Sequence, residues 1–246
     1  VYEAIKATDN GNGVLLVIKN YTGDVMNFEM AKEMAEMDGI KVEQIIVNDD
    51  VAVENSLYTA GRRGIAGTVF VHKIAGAKAE GGASLQEVKD IAERVVKNVC
   101  SMGMSLSSCI VPAAGKANFT LGDDEIEIGM GIHGEPGVYR KKISTADDIA
   151  QELLDKILDD IEINKNDEVA IIINGLGSTP NMELYIINKK VNEILTEKGI
   201  KIHKTFIGEF MTSLEMAGCS VSLLKLDDEL KELLDAKADT PGFKVI

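Results

Sequence analysis

Residues 13–47 constrain the architecture more than any other part of this chain. GVLLVIKN (13–20) is a short apolar run that ends in a turn signal, and IKVEQIIV (40–47) reads as another strand. Between them DVMNFEMAKEMAEMDG (24–39) places Val25, Phe28, Met30 or Ala31, Met34 and Met37 at helical spacing and stops at Gly39. A short apolar run such as the first reads as a buried strand. Strand, helix and strand in that order form a parallel unit, so the chain opens as an α/β fold.

The rest of the chain continues the alternation. An acidic connection (48–67) leads to TVFVHKIAGAKAEGG (68–82), apolar and strand-like at its start and Ala/Gly-rich after. Ser84 and Glu87 form a capping-box pattern ahead of a helix with a clear apolar face. SLSSCIVPA is strand-like up to its proline. DDEIEIGMGI (123–132) alternates, with Ile126, Ile128, Met130 and Ile132 on one side and Glu125, Glu127, Gly129 and Gly131 on the other, the pattern of a half-exposed strand. A helix capped by Ser144 or Thr145 follows, then the strand EVAIIINGLG, a capped helix from STPNMEL, the strands IKIHKTFIGEF and CSVSLLKL, and a short helix DDELKELLDA. The reading is two α/β domains: residues 1–100 with a mostly parallel sheet and residues 101–246 with a mixed sheet. Val1 runs directly into what looks like the middle of a fold, so the first domain reads as truncated at its N-terminus.

The 246 residues are 45% hydrophobic and 27% charged, ordinary for a globular chain, and the net charge of −14 argues against nucleic acid and anionic membrane surfaces. No run of about 18 apolar residues marks a membrane span. Cys100, Cys109 and Cys219 are far apart and form no CxxC pair, which fits packing roles in a reducing cytoplasm.

Chemistry is concentrated in two places. GMGIHGEPG (129–137) holds His133, one of three histidines, on a glycine-rich turn at the end of an alternating run. A histidine on a turn is ordinarily just solvated. The glycines around it would let a ligand approach the main chain, which turns the reading toward function. KNYTGD (19–24) leaves a strand and enters a helix, at the strand end where open α/β folds bind ligands. Lys19 offers a donor there, and Asp24 offers an acceptor or base as well as a helix cap. GRRGIAG (61–67) and PAAGKANF (112–119) lack the lysine and hydroxyl pattern of a phosphate loop. NGLGSTP (174–180) reads as a βα turn with room for an anion at the helix start. His72 and His203 lie in strand-like runs and read as structural. No metal-ligand spacing is present.

Taken in order, IKNYTGD, VNDDVAVENSLYTAGRRGIAGTV, CIVPAAGK, FTLGDDEIEIGMGIHGEPG, NGLGSTP and SLLKLDDEL resemble the dihydroxyacetone-binding K subunit, or K domain, of dihydroxyacetone kinases (the DhaK family) across essentially the whole chain. The resemblance implies that His133 binds dihydroxyacetone covalently as a hemiaminal, that Asp24 hydrogen-bonds a substrate hydroxyl and acts as its base, and that Lys19 is a further substrate contact. It implies a homodimer that holds no cofactor or metal itself. The ADP or ATP and its magnesium would sit on a separate L subunit, recharged through a phosphotransferase M subunit, and the lack of an appended L domain favours that arrangement over a fused ATP-dependent enzyme. The family pattern also has an upstream glycine-rich loop with a second histidine, which these residues do not include. A triose-binding coactivator that does not turn the sugar over is the competing expectation.

Overall fold

The computed structural model describes residues 1–53, 60–117, 119–135 and 137–246. Strand β1 (Val14–Lys19), helix α2 (Thr22–Met37) and strand β2 (Val42–Val47) follow a short helix α1 (Tyr2–Thr8), and β1 and β2 pair in parallel from Val14 opposite Val42 to Lys19 opposite Val47. Helices α3 (Thr68–Glu80) and α4 (Leu85–Lys97) come next. They lead into β3 (Val99–Ser105), the first strand of a six-stranded mixed sheet. The other strands are β4 (Glu125–Ile128), β5 (Tyr139–Lys142), β6 (Glu168–Gly175), β7 (Lys201–Gly208) and β8 (Gly218–Leu226), in the order β5-β4-β3-β8-β6-β7. Only β6 and β7 run in parallel within it. Helices α5 (Ala146–Asp160), α6 (Asn181–Glu197) and α7 (Asp228–Asp235) and a short antiparallel pair, β9 (Ala238–Asp239) and β10 (Lys244–Val245), complete the fold.

The elements stack in layers. On one side of β1 and β2 lie α1 and α2, with Ile5, Ala31 and Ala35 against Val14, Leu16, Ile18 and Val42. On the other side α3, α4 and α7 fill the gap to the large sheet, where Phe70, Ile74, Ile91 and Leu230 meet Ile45 and Val47 on one side and Ala170, Ile172 and Leu224 on the other. The far face of the large sheet carries α5 and α6, packed through Leu153, Leu154, Leu184 and Val191 onto Val169, Ile171, Ile173 and Val221. β6 is therefore buried on both faces along nearly its whole length, which is why its sequence is an unbroken apolar run. Each apolar side chain fully buried in these layers contributes roughly 1.5–3 kcal/mol.

Helix starts follow local chemistry. Ser84 and Glu87 complete the capping box of α4, and Thr145, rather than Ser144, accepts from the Asp148 N–H at the start of α5. α6 begins with Pro180 as its N-cap and has no side-chain cap bond, because Thr179 instead bonds both the N–H and the carbonyl of Gly218 in β8.

Four local expectations are corrected. The strand-like start of 68–82 is α3, so His72 lies on a helix. The β-branched run is overridden because the segment is sandwiched between the two sheets, with Phe70, Val71, Ile74 and Ala75 all buried. SLSSCIVPA contributes only its first residue to β3, which ends at Ser105. The strand in 123–132 stops at Ile128, because Gly129 turns to a φ of +77°. It is not half-exposed either: Glu127 is buried, accepting from Gly137 N–H at 2.7 Å and facing Arg140 at 3.3 Å. Finally, α2 packs through Ala31 and Ala35, with Val25 and Phe28 partly covered, while Met30 is 60% and Met37 79% exposed. Small side chains bring the helix close to the sheet, and that rotates the methionine stripe outward.

Candidate functional site

β1 ends at Lys19, and the chain turns at once into α2. Asn20 donates its backbone N–H to the Val47 carbonyl, and its amide bonds the carbonyls of Ala60 and Arg62 at 3.0 and 2.7 Å. Tyr21 is the N-cap residue of α2, buried, with Asp24 half-buried in the first helical turn. The segment 60–67 is laid across the ends of β1 and β2. Gly64 is obligatory there, since a Cβ on it would sit 2.4 Å from the Val47 carbonyl oxygen. Gly67 packs onto Asp49, whose carboxylate accepts from the N–H groups of Ile65 at 2.7 Å and Gly67 at 2.8 Å. The glycines of GRRGIAG thus serve close packing of backbone on carboxylate.

Asp50 and Arg63 are both buried and form an ion pair, with Nε at 2.8 Å and Nη2 at 2.7 Å from Oδ2. The same Nη2 donates to the Gly129 carbonyl at 2.6 Å. Arg63 therefore ties the end of the β2 strand to the turn that carries His133, across a sequence separation of 66 residues. Burial pushes the Asp50 carboxyl up to about 6 even with the guanidinium against it, and burial also raises Asp49.

The turn itself is held from inside. Two of its glycines do not open onto free space. A Cβ on Gly129 would lie 2.7 Å from the Ala52 Cβ, and one on Gly131 would lie 2.2 Å from Glu135 Oε2 and 2.8 Å from Arg63 Nη1. At these two positions the expectation that the glycines clear room for a ligand is corrected: the space is taken by the protein's own side chains. Pro136, read as part of the turn, lies outside the described residues. The His133 side chain is 52% exposed. Its backbone N–H donates to Glu135 Oε2 at 3.0 Å, and its Nδ1 lies 3.2 Å from Glu135 Oε1. Burial would raise the Glu135 carboxyl, but the bonds from His133 outweigh it and hold the group below its usual range.

Of the predicted residues, Lys19 and Asp24 come from the β1–α2 junction and His133 from the turn after β4, and the structure brings these two segments together. The contact that joins them belongs to Tyr21, whose ring meets the His133 ring edge-on at a centroid distance of 4.5 Å, beside Ile65, Ile132 and Met211. Sequence reasoning passed over Tyr21, Asp49, Asp50, Arg63 and Glu135. The available signals were the paired aspartates right after a strand and two adjacent arginines between glycines. Among the described residues the buried Tyr21 hydroxyl has no hydrogen-bond partner, and burial first, then the Glu135 charge, raises it far above the ordinary phenol range. An unpaired buried hydroxyl carries its full desolvation cost. Tyr21→Phe is thus expected to raise stability by about 1 kcal/mol, about 2–4 °C in a thermal melt. A lower melting temperature would mean that the hydroxyl is satisfied.

Among the described residues no group of three or more His, Cys, Asp or Glu side chains is placed to hold a metal ion, and no helix is long and apolar enough to cross a membrane. The three cysteines are buried, and burial pushes the thiols of Cys100 and Cys219 up to about 12, so neither is a thiolate near neutral pH. His203 bonds Asp235 at 2.8 Å on β7.

The Dak1 domain model matches residues 1–242. This chain belongs to the Dak1 domain family. A subunit of Listeria innocua serovar 6a, named as the dihydroxyacetone-binding subunit DhaK of PTS-dependent dihydroxyacetone kinase 1, is 55% identical to this Dak1 chain over 229 residues, 93% of this chain and 70% of that protein. Among solved structures, the dihydroxyacetone kinase operon co-activator Dha-DhaQ superposes on the Dak1 chain with a TM-score of 0.89 at 34% identity, covering 96% of this chain and 73% of that one. The dihydroxyacetone kinase of C. freundii superposes with a TM-score of 0.87 at 33% identity, covering 99% of the Dak1 chain and 44% of the enzyme.

Proposed function

We propose that this Dak1 chain is the dihydroxyacetone-binding subunit of a dihydroxyacetone kinase, holding the triose on His133 as a hemiaminal while a phosphoryl group is transferred to it. The observation that carries the reading is the placement of His133: a half-exposed imidazole on an internally braced turn, facing the segment that bears Lys19 and Asp24. A neutral imidazole nitrogen adds to a ketone carbonyl and finds nothing to add to in a polyol, so covalent capture selects dihydroxyacetone over glycerol. Asp24 then accepts the proton of the terminal hydroxyl as it attacks phosphorus, and Lys19 supports the anionic centre. The phosphoryl donor is a nucleotide on a separate subunit, recharged by a phosphotransferase system, as the name of the Listeria relative suggests. The functional unit is a homodimer.

Dihydroxyacetone labelled with carbon-13 at its carbonyl tests the capture directly. The expected result is a protein-bound tetrahedral carbon that labelled glycerol does not give. A bound signal that keeps its ketone shift rejects the hemiaminal. Asp24→Asn is expected to leave triose binding within a few-fold and to slow phosphoryl transfer by about 10²–10⁴. Unchanged turnover removes Asp24 from the role of base.

A second reading is favoured by one finding: the co-activator superposes as well as the kinase does. Under it the chain binds the triose and reports it to a regulator without turnover. Incubation with a nucleotide-loaded L subunit separates the two, since only the kinase subunit yields dihydroxyacetone phosphate.

A further inference from the structure

Capture of a carbonyl needs one ring nitrogen with a free lone pair, and the surroundings of His133 select which one. We propose that Glu135 is a positioning residue that holds His133 as the Nδ1–H tautomer and so makes Nε2 the nucleophile. The inference rests on the covalent reading above and adds to it the group that directs the imidazole.

Three observations carry it. Glu135 Oε1 lies 3.2 Å from Nδ1, while Oε2 accepts the backbone N–H of the same histidine at 3.0 Å, so one carboxylate grips both the ring and the main chain of His133. An ionised carboxylate is acceptor-only, so the nitrogen facing it carries the proton. The carboxylate is also immobilised. Its side chain is 8% exposed, and Oε2 lies against the bare Cα of Gly131, close to where Arg63 Nη1 abuts the same glycine. Finally, the Tyr21 ring stands edge-on to the imidazole at 4.5 Å and restricts its rotation. The remaining nitrogen, Nε2, belongs to a side chain that is half in solvent.

The chemistry balances as follows. The Nε2 lone pair forms the N–C bond, and the carbonyl π pair moves onto oxygen, which takes a proton from solvent to become the hemiaminal hydroxyl. The positive charge this leaves on the ring faces Glu135, and the Nδ1 proton is shared between ring and carboxylate. A neutral amide at position 135 neither balances that charge nor accepts at both contacts, since one of its two terminal atoms is an NH₂ donor.

The test uses the full chain labelled with nitrogen-15 at histidine, with His133→Ala assigning the His133 signals. In the free wild-type protein at a pH where the ring is neutral, Nδ1 is expected to be protonated and Nε2 bare. A protonated Nε2 there overturns the proposal, whatever any variant does. Glu135→Gln is expected to lose that tautomer preference and to bind carbonyl-labelled dihydroxyacetone as an adduct about 10- to 100-fold more weakly, with an altered pH profile. Unchanged tautomer, affinity and pH profile in a folded Glu135→Gln protein also overturn it. If wild-type protein forms no adduct at all, the covalent reading fails, while the nitrogen-15 spectrum of the free protein still decides whether Glu135 sets the tautomer.

Discussion

Arg63→Met is expected to destabilise the fold by about 3–5 kcal/mol at neutral pH, the range for removing one member of a buried ion pair. Methionine fills much of the same volume without charge, so the loss is chiefly electrostatic. Asp50 is 1% exposed, and without the guanidinium its charge would be buried with that counter-ion gone. The sign with pH is diagnostic. The folded Asp50 carboxyl is already pushed up to about 6, above its ordinary value, and loss of Arg63 raises it further. A group whose folded pKa is raised costs stability as pH climbs through that pKa, and costs nothing below the unfolded value. The gap between variant and wild type should therefore be widest at neutral and alkaline pH and shrink as the solution is acidified toward pH 4. Urea melts at several pH values measure it. A pH-independent gap would mean that lost packing and the lost Gly129 bond, rather than the Asp50 charge, dominate. The variant also frees the Gly129 carbonyl, so the His133 turn should loosen before the core does.

The parts of this molecule that were legible in its sequence are those decided by near neighbours. The apolar runs that became β1 and β6 announce strands, and Ser84 with Glu87 announces a helix start within four residues. His133 stood out because a lone imidazole among glycines is unusual. What stayed hidden was decided at a distance. The β-branched start of α3 is helical only because two sheets enclose it, and the outward face of α2 follows from how closely Ala31 and Ala35 approach the sheet. The same holds at the site. Tyr21 reads as the residue before a helix, Arg63 as one charge of a polar loop, and Glu135 as a turn acid. Their roles come from contacts with His133, Asp50 and Gly129, which no local pattern encodes. Even the glycines of the turn were half-read, since their spareness was visible but the carboxylate and guanidinium filling that space were not.

His133→Ala separates the chemistry of the site from its architecture. The substitution removes the imidazole and with it every route to the hemiaminal, so the tetrahedral carbon signal from carbonyl-labelled dihydroxyacetone should vanish entirely while the sugar's own ketone signal remains. The fold should survive. The side chain is 52% exposed, and the backbone N–H at position 133 still donates to Glu135 Oε2, so the buried carboxylate keeps that partner when the ring bond goes. Removal of a half-exposed side chain outside the core costs about 0.5 kcal/mol, to which the lost Tyr21 ring contact adds about 0.5–1.5 kcal/mol. A thermal melt therefore shifts by a few degrees while adduct formation falls to zero. The two readouts must move apart for the assignment to hold. An adduct that persists on the alanine protein would place the nucleophile elsewhere. A collapse of the melt would make the loss of adduct a consequence of unfolding, and a coupling between the labelled triose carbon and a nitrogen-15 of the His133 ring in the wild-type protein would then carry the decision on whether this ring is the one that bonds the triose.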